Sequence, residues 1–324
     1  NELFLKVFSG EILTTFEEFN VMKELHTIRT ISNGKSAQFP VTGIAEAKYH
    51  IAGQNIADSS NSYLSQIKHA EKVINIDDVL LASTFIANID ELKNHYDVRS
   101  IYAQELGKAL AKRFDLATMK TLVAAARTAA TINTTGKAGI LIDGGEPVDF
   151  NGTVIQAKLF EAAQKLDEND IPNDGKRFAI LKPADYYTLI ASAEEVINRD
   201  FGGRGDVATG RIPMVAGINI YKSNHLSDVA INLAAVTTAG SDGSASVQND
   251  VFGGGSPGEG YNGNLSKTQI IGGHPSAIGT VKLLDLATES DYKVELQGSL
   301  FVAKYAMGHG VLRPEAAFEI RDAD

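Results

Sequence analysis

The passage from residue 91 to residue 127 constrains this chain more than any other. Ala103, Leu106, Leu110, Phe114 and Ala117 recur at spacings of three and four, the period of one helix face, and Asp90 stands where an N-cap belongs. Unbroken, such a helix runs roughly 55 Å. No sustained heptad accompanies it, which sets aside a coiled coil. A helix of that length with one apolar stripe is a beam laid across a domain, and the rest of the chain must supply the surface it lies on.

The chain has 324 residues, 44% of them hydrophobic. That is enough for a large core and exceeds the size at which one core usually stays undivided, so two lobes or one domain with long excursions are expected. With 30 basic and 40 acidic residues the net charge is −10, which argues against a surface dedicated to coating DNA or RNA. Cysteine is absent, so disulfides, thiolate metal sites and cysteine nucleophiles are excluded, and a reducing compartment is the simplest home. The first residue is Asn1, which suggests that a leading segment has been lost. The opening "NELFLKVFSGEILTTFEEF" has neither the basic leader nor the apolar core of a signal peptide. No run reaches the roughly 18 apolar residues of a membrane span. A soluble intracellular product with no membrane partner is expected.

Residues 1–32 mix apolar anchors (Leu3, Phe4, Phe8, Phe16, Phe19) with charge and read as an arm without a long periodic run. "SNGKSAQFPVTG" (32–43) alternates Ala37, Phe39 and Val41 away from the turn signal Asn33-Gly34, and "KVINIDDVLLA" (72–82) is β-like. The polar middle between them, with Gly53, Asn55, Ser60 and Tyr63, makes the tip of a long hairpin. Beyond the long helix, Thr153 and Gln156 form a T-x-x-Q capping box, Ile155, Leu159, Ala162 and Leu166 mark one helix face, and the helix should stop before Pro172. "RFAIL" (177–181) reads as a buried strand, Pro183 as the first residue of another helix and "VAGINIYKS" (215–223) as a strand. Strands alternating with helices make the middle of the chain an α/β lobe. Residues 239–264 turn to Gly, Ser, Asn and Asp and read as a mobile surface loop.

Candidates for chemistry are few. "GGGSPGEGYNG" (253–263) lacks the Gly-Lys-Ser/Thr ending of a phosphate loop. The seven histidines show no metal-ligand spacing. Asp77-Asp78 reads as solvated carboxylates or a helix cap. The stretch "AKYAMGHGVLRPEAA" (303–317) places His309, Arg313 and Glu315 close together, residue types that move protons and bind anions. Phe301, Ala303, Tyr305 and Met307 alternate into it as a buried strand, and Gly308 and Gly310 suggest a bulge or a close backbone approach. No serine elbow or second acid accompanies them, so a turn fixed by a charge pair outweighs a hydrolase. No cofactor, metal or catalytic residue is expected.

Six blocks carry a resemblance: "LFLKVFSGEILTTF" (3–16), "SNGKSAQFPVTG" (32–43), "IKHAEKVINIDDVLLA" (67–82), "NHYDVRS" (94–100), "IGTVKLLDL" (278–286) and "AKYAMGHGVLRPEAA" (303–317). In order and over nearly the whole chain they resemble the major capsid proteins of short-tailed phages of the T-seven type, the autographiviruses, including those of marine cyanophages. The likeness thins at 129–150 and 190–265. It implies an α+β chain of the Hong Kong 97 phage capsid fold: an N-terminal arm (1–32), an E-loop with its base (33–82), a peripheral domain (83–150) with a spine helix at 91–127, an axial domain (151–287) and a return to the peripheral domain (288–324).

It also implies a shell protein and not an enzyme. The protein would assemble with itself into pentamers and hexamers of an icosahedral head, with scaffolding protein and portal as assembly partners, in the bacterial host cytoplasm. Packaged double-stranded DNA would be held without sequence recognition and the product would be a virion. Candidate subunit contacts are Phe4, Phe8, Phe39, Gly53, Asn55, Ser60, Tyr63, His309, Arg313 and Glu315. An isolated two-stranded hairpin is marginal in water, so the excursion needs a neighbouring subunit. The nearest alternative is an encapsulin-like compartment, which shares the fold and encloses enzymes.

Overall fold

A computed structural model describes residues 2–42, 47–58, 63, 69–87, 98–130, 137–145, 150–192, 212, 214–228, 249, 251–252, 261, 263 and 265–322. The long helical period forms α2 (Val98–Arg127); Asp90 and residues 91–97 lie outside the described residues. The expected stripe is present, with Ala103, Leu110 and Phe114 buried and Leu106 partly so. From Phe114 to Ala126 the helix is buried on every side. A helix enclosed all round needs its polar groups satisfied, and the Thr118 and Thr121 hydroxyls donate to the carbonyls of Phe114 (2.9 Å) and Ala117 (2.8 Å).

Two sheets flank this segment. One has the order β1-β10-β11-β4, from β1 (Thr27–Thr30), β10 (Ile278–Lys293), β11 (Gly298–Val311) and β4 (Leu80–Ala87). The other has the order β5-β12-β9-β6-β8-β7, from β5 (Ile140–Asp143), β12 (Ala317–Arg321), β9 (Thr268–Gly273), β6 (Phe178–Leu181), β8 (Ile218–Lys222) and β7 (Met214–Val215). Helix α2 packs against both. Its end is bolted to the second sheet: Arg127 donates from Nε and Nη2 to the two oxygens of buried Glu319, each at 2.7 Å, and the Thr268 hydroxyl donates to Glu319 at 2.6 Å. Among the described residues one large apolar cluster spans both sheets, with a second, small one of Ala37, Ile74, Val281 and Leu312 under the hairpin base.

Residues 1–32 do not lack a regular element, since α1 (Glu2–Phe19) occupies most of them. Phe8, Ile12 and Phe16, four apart, are buried, which is the helical period hidden among the other apolar residues of the stretch. Phe8 stacks at 4.6 Å on Phe301 and Phe16 meets Phe114 edge-on at 6.0 Å. The next helix, α3 (Gly152–Glu168), ends before Pro172 and buries Ile155, Leu159, Ala162 and Leu166 as expected. Its cap is not the T-x-x-Q box. Asn151 lies in extended geometry and its side chain accepts from the Val154 N–H at 3.1 Å, which leaves Thr153 inside the first turn. Strand β6 is buried throughout and Pro183 opens α4 (Pro183–Ser192).

The two extended stretches pair as an antiparallel hairpin, β2 (Ser36–Thr42) with β3 (His69–Asn75), in a register running from Ser36↔Asn75 to Thr42↔His69. The β signal at 72–82 is two strands, however. Strand β3 ends at Asn75, and β4 starts at Leu80 and joins β11 in another sheet. Likewise 215–223 contains a tight turn, with positive φ at Ala216 (51°) and Gly217 (78°), that folds β7 onto β8. Most of the 239–264 passage lies outside the described residues, but the reading of surface loop fails at two positions: Asn249 and Tyr261 are buried.

Candidate functional site

His309 sits in β11, opposite Thr280 of β10. It is 3% exposed, with the Phe114 ring edge-on at 5.2 Å. A directional chain of hydrogen bonds fixes its tautomer. His26 lies 4 residues after Met22 and its Nδ1 donates to the Met22 carbonyl. His26 Nε2 therefore accepts, from the Thr280 hydroxyl at 2.7 Å, and Thr280 Oγ1 in turn accepts from His309 Nδ1 at 2.8 Å. Both imidazoles are held neutral. Burial lowers His309 to about 3, with His26 adding to the effect, and lowers His26 to about 4 against the raising influence of the Met22 carbonyl and Asp115.

The expectation of a close backbone approach at Gly308 and Gly310 holds, and no bulge occurs there. Gly308 pairs regularly with Val281 and Gly310 with Gly279; the register shifts lie farther along, between Lys282 and Ala287. A Cβ on Gly308 would stand 1.8 Å from the Asn75 carbonyl oxygen, and one on Gly310 would stand 2.7 Å from Ile74 Cγ1. Strand β3 therefore rests directly on the backbone of β11. Arg313 and Glu315 are not part of the His309 group: Arg313 Nε donates to Glu315 at 2.8 Å in the turn after β11. They form the charge pair read from the sequence.

The arrangement nearest to a catalytic one was not singled out from the sequence. Asp115, fully buried on α2, accepts from the Val21 and Met22 N–H groups at 3.0 and 3.2 Å and bonds His225 Nδ1 at 2.8 Å. The nearby Ser223 hydroxyl accepts from the His225 backbone N–H at 3.2 Å. Asp115 instead ties the segment after α1 and the short helix Asn224–Asp228 to α2. The signal for it was an aspartate directly beside Phe114, next to the apolar stripe. Among the described residues no group of three His, Asp or Glu is placed to hold a metal ion, and no described helix is long and apolar enough to cross a membrane.

Asp78 is exposed, as a solvated carboxylate should be, whereas Asp77 is half-buried and bonded by side chains of the chain itself. Tyr261 donates its hydroxyl to Asp77 Oδ2 at 2.7 Å, and the Asn249 amide donates to Oδ1 at 3.1 Å.

The candidate contact residues are scattered. Phe8 and His309 belong to the chain's own core, so in this conformation they are withdrawn from its surface. Phe4 lies in α1, and Ser60 lies outside the described residues. Phe39 is partly buried at the hairpin base under the Arg29 guanidinium, 5.5 Å from the ring centroid. Gly53 and Asn55 are exposed; Gly53 has φ +90 and Asn55 Oδ1 accepts from the Ala57 N–H at 3.0 Å. The Tyr63 hydroxyl accepts from the Ile51 N–H at 3.0 Å and donates to Gln54. Beside them Tyr49, Ile51 and Ile56 are 101%, 61% and 54% exposed. Three large apolar side chains on one excursion, uncovered by their own chain, form a surface suited to another molecule.

The family model described as Gp10A-like major capsid protein matches residues 38–321. The major capsid protein of Escherichia phage T7 is 38% identical over 97% of this chain and 90% of its own length. Among solved structures, the capsid of cyanophage P-SCSP1u superposes with a TM-score of 0.76 at 37% identity, covering 94% of this chain and 88% of that one. The mature capsid of bacteriophage PhiM1 reaches a TM-score of 0.69 at 18% identity, covering 94% and 87%. The fold is that of the Hong Kong 97 type, and with this identity sustained along almost its whole length the chain belongs to the Gp10A-like family of phage major capsid proteins.

Proposed function

We propose that the chain tiles the icosahedral head of a short-tailed phage as pentamers and hexamers, with the excursion beyond β2 and β3 lying on a neighbouring copy. The observation that carries this reading is the uncovered apolar side of that excursion, at Tyr49, Ile51 and Ile56. Burying such side chains against a second copy contributes about 1.5 to 3 kcal/mol each, enough to order a segment that its own subunit leaves bare. Head-to-tail contacts of this kind close into rings, and rings of five and six tile a closed shell. The net charge of −10 suits a container for double-stranded DNA that is enclosed without sequence recognition, since cationic walls would bind phosphate. In this reading scaffolding protein and portal take part in assembly in the host cytoplasm, and no step involves catalytic turnover.

The parts expected of such a tile have counterparts in order along the chain. Residues 1–32 serve as the arm and 33–82 as the E-loop with its base. In this reading the peripheral domain takes 83–150 with α2 as its spine, the axial domain 151–287, and 288–324 return to the peripheral domain. The sheets cross these bounds: β10 starts at Ile278 in the four-stranded sheet, and β5 and β12 lie in the six-stranded one. Deleting residues 50–65 tests the proposal. A folded subunit that no longer closes shells in electron micrographs supports it; normal shells from the deletion remove it, and wild-type particles found filled with protein and devoid of DNA would favour a compartment.

A further inference from the structure

Asn75, Ile76 and Asp77 form the root of the hairpin, where the chain leaves β3 and turns toward β4. Groups from distant parts of the sequence converge there. The Asn249 side-chain amide serves both backbone groups of Asn75, accepting from its N–H at 2.8 Å and donating to its carbonyl at 2.6 Å. One side chain thus does for Asn75 what a neighbouring strand does elsewhere. The same amide donates to Asp77 Oδ1 at 3.1 Å. Tyr261 donates to Asp77 Oδ2 at 2.7 Å while its oxygen accepts from the His309 N–H at 3.0 Å.

The two strands of the hairpin form a sheet of their own and share no ladder with the larger sheets. They are seated by a small apolar contact of Ala37 and Ile74 with Val281 and Leu312, by Arg29 Nη1 donating to the Gln38 carbonyl at 2.8 Å, and at the root by the Asp77 N–H donating to the Met307 carbonyl at 3.3 Å. Apolar contact is non-directional and tolerates sliding. Hydrogen bonds to a carboxylate are directional and strong. The Asn75 carbonyl also abuts Gly308, where a Cβ would stand 1.8 Å from its oxygen and 3.0 Å from Asn249 Nδ2. The peptide at the root is therefore held by the side chains of Asn249 and Tyr261 and seated on the backbone of β11.

We infer that Asn249 and Tyr261 are a latch on the hairpin root, fixing the angle at which the β2–β3 hairpin leaves the core and coupling that angle to the positions of these two residues. Burial and the Asp77 carboxylate push the Tyr261 phenol well above its ordinary value, so it remains a donor at any pH the protein meets. The latch belongs to the single subunit and holds whether or not the chain assembles.

Hydrogen exchange on the unassembled chain tests it, in two near-isosteric variants. Tyr261→Phe removes the hydroxyl, and Asn249→Asp sets a carboxylate oxygen against the Asn75 carbonyl and Asp77. Each should speed exchange of amides 70–76 roughly tenfold while β9 and β12 keep their wild-type rates. The reverse coupling is read with Ile74→Ala, which loosens the apolar seat and should speed exchange at residues 249 and 261. Unchanged rates at 70–76, an even rise across β3, β9 and β12, a variant too unstable to purify, or no response at 249 and 261 in Ile74→Ala would each overturn the latch.

Discussion

Acidification from pH 6.5 to pH 4 should destabilise the fold while the histidine pair inside it stays neutral. In the unfolded chain both His26 and His309 take up protons around 6.5. In the folded chain His26 holds off until about 4 and His309 until about 3. Between those values the unfolded state binds more protons, so stability is fully present above 6.5 and is lost as pH falls toward the folded values. A tenfold change in proton affinity is about 1.4 kcal/mol, so the displacement of His26 from 6.5 to about 4 withdraws about 3 kcal/mol by pH 4. His309, pushed lower by burial and by His26, adds to the same loss over this interval, and a loss of a few kcal/mol is a large share of the stability of an ordinary domain. Urea denaturation of the unassembled chain at half-unit steps between pH 7 and 4 reads the slope, and His26→Gln and His309→Gln should each remove its own share. Stability flat across this interval, or a slope in both variants equal to that of the wild type, would refute the buried neutral pair.

Two further outcomes follow from the packing of α2 and β11. Leu110→Asp removes a side chain that is 2% exposed and sets a carboxylate in its place, so the chain should lose about 4 kcal/mol or more; normal thermal stability would mean that the stripe faces water. Gly308→Ala drives a methyl group to 1.8 Å from the Asn75 oxygen, and lifting β3 off β11 should cost about 1 to 3 kcal/mol, seen as a lower urea midpoint and faster exchange at Ile74 and Asn75.

Elements that carry their own period were legible in the sequence. Leu110 and Phe114, Ile155 and Leu159, and the run Phe178–Leu181 are placed by periodicity that no tertiary contact overrides. Helix α1 was hidden because Phe19 (44% exposed) and Leu13 (44% exposed) blur the face defined by Phe8, Ile12 and Phe16. Competing polar side chains misplaced the start of α3, where Asn151 caps more directly than Thr153 can. The polar network could not be read at all. Asp77 and Tyr261 are 184 positions apart, and Asn75 and Asn249 are 174 apart, in stretches whose composition signals only turn and loop. What gives Asn249 and Tyr261 their role is the fold, which brings them to a hairpin root. His309 was readable as structural because no partner for chemistry stood near it; its actual partners, Thr280 and His26, are separated from it by 29 residues and by the far end of the chain.

The stretch of α2 from Phe114 to Ala126, enclosed on every side between the two sheets, has a mechanical meaning. A chain of this length divided into lobes would ordinarily join them by a linker that bends under load. Here the join is thirteen residues of continuous helix, or about 20 Å of strut, whose hydrogen bonds lie along its axis and whose far end is pinned by Arg127 to Glu319. Force applied to one sheet reaches the other through compression of that strut, so the protein should respond to strain as one stiff plate that does not bend at its waist.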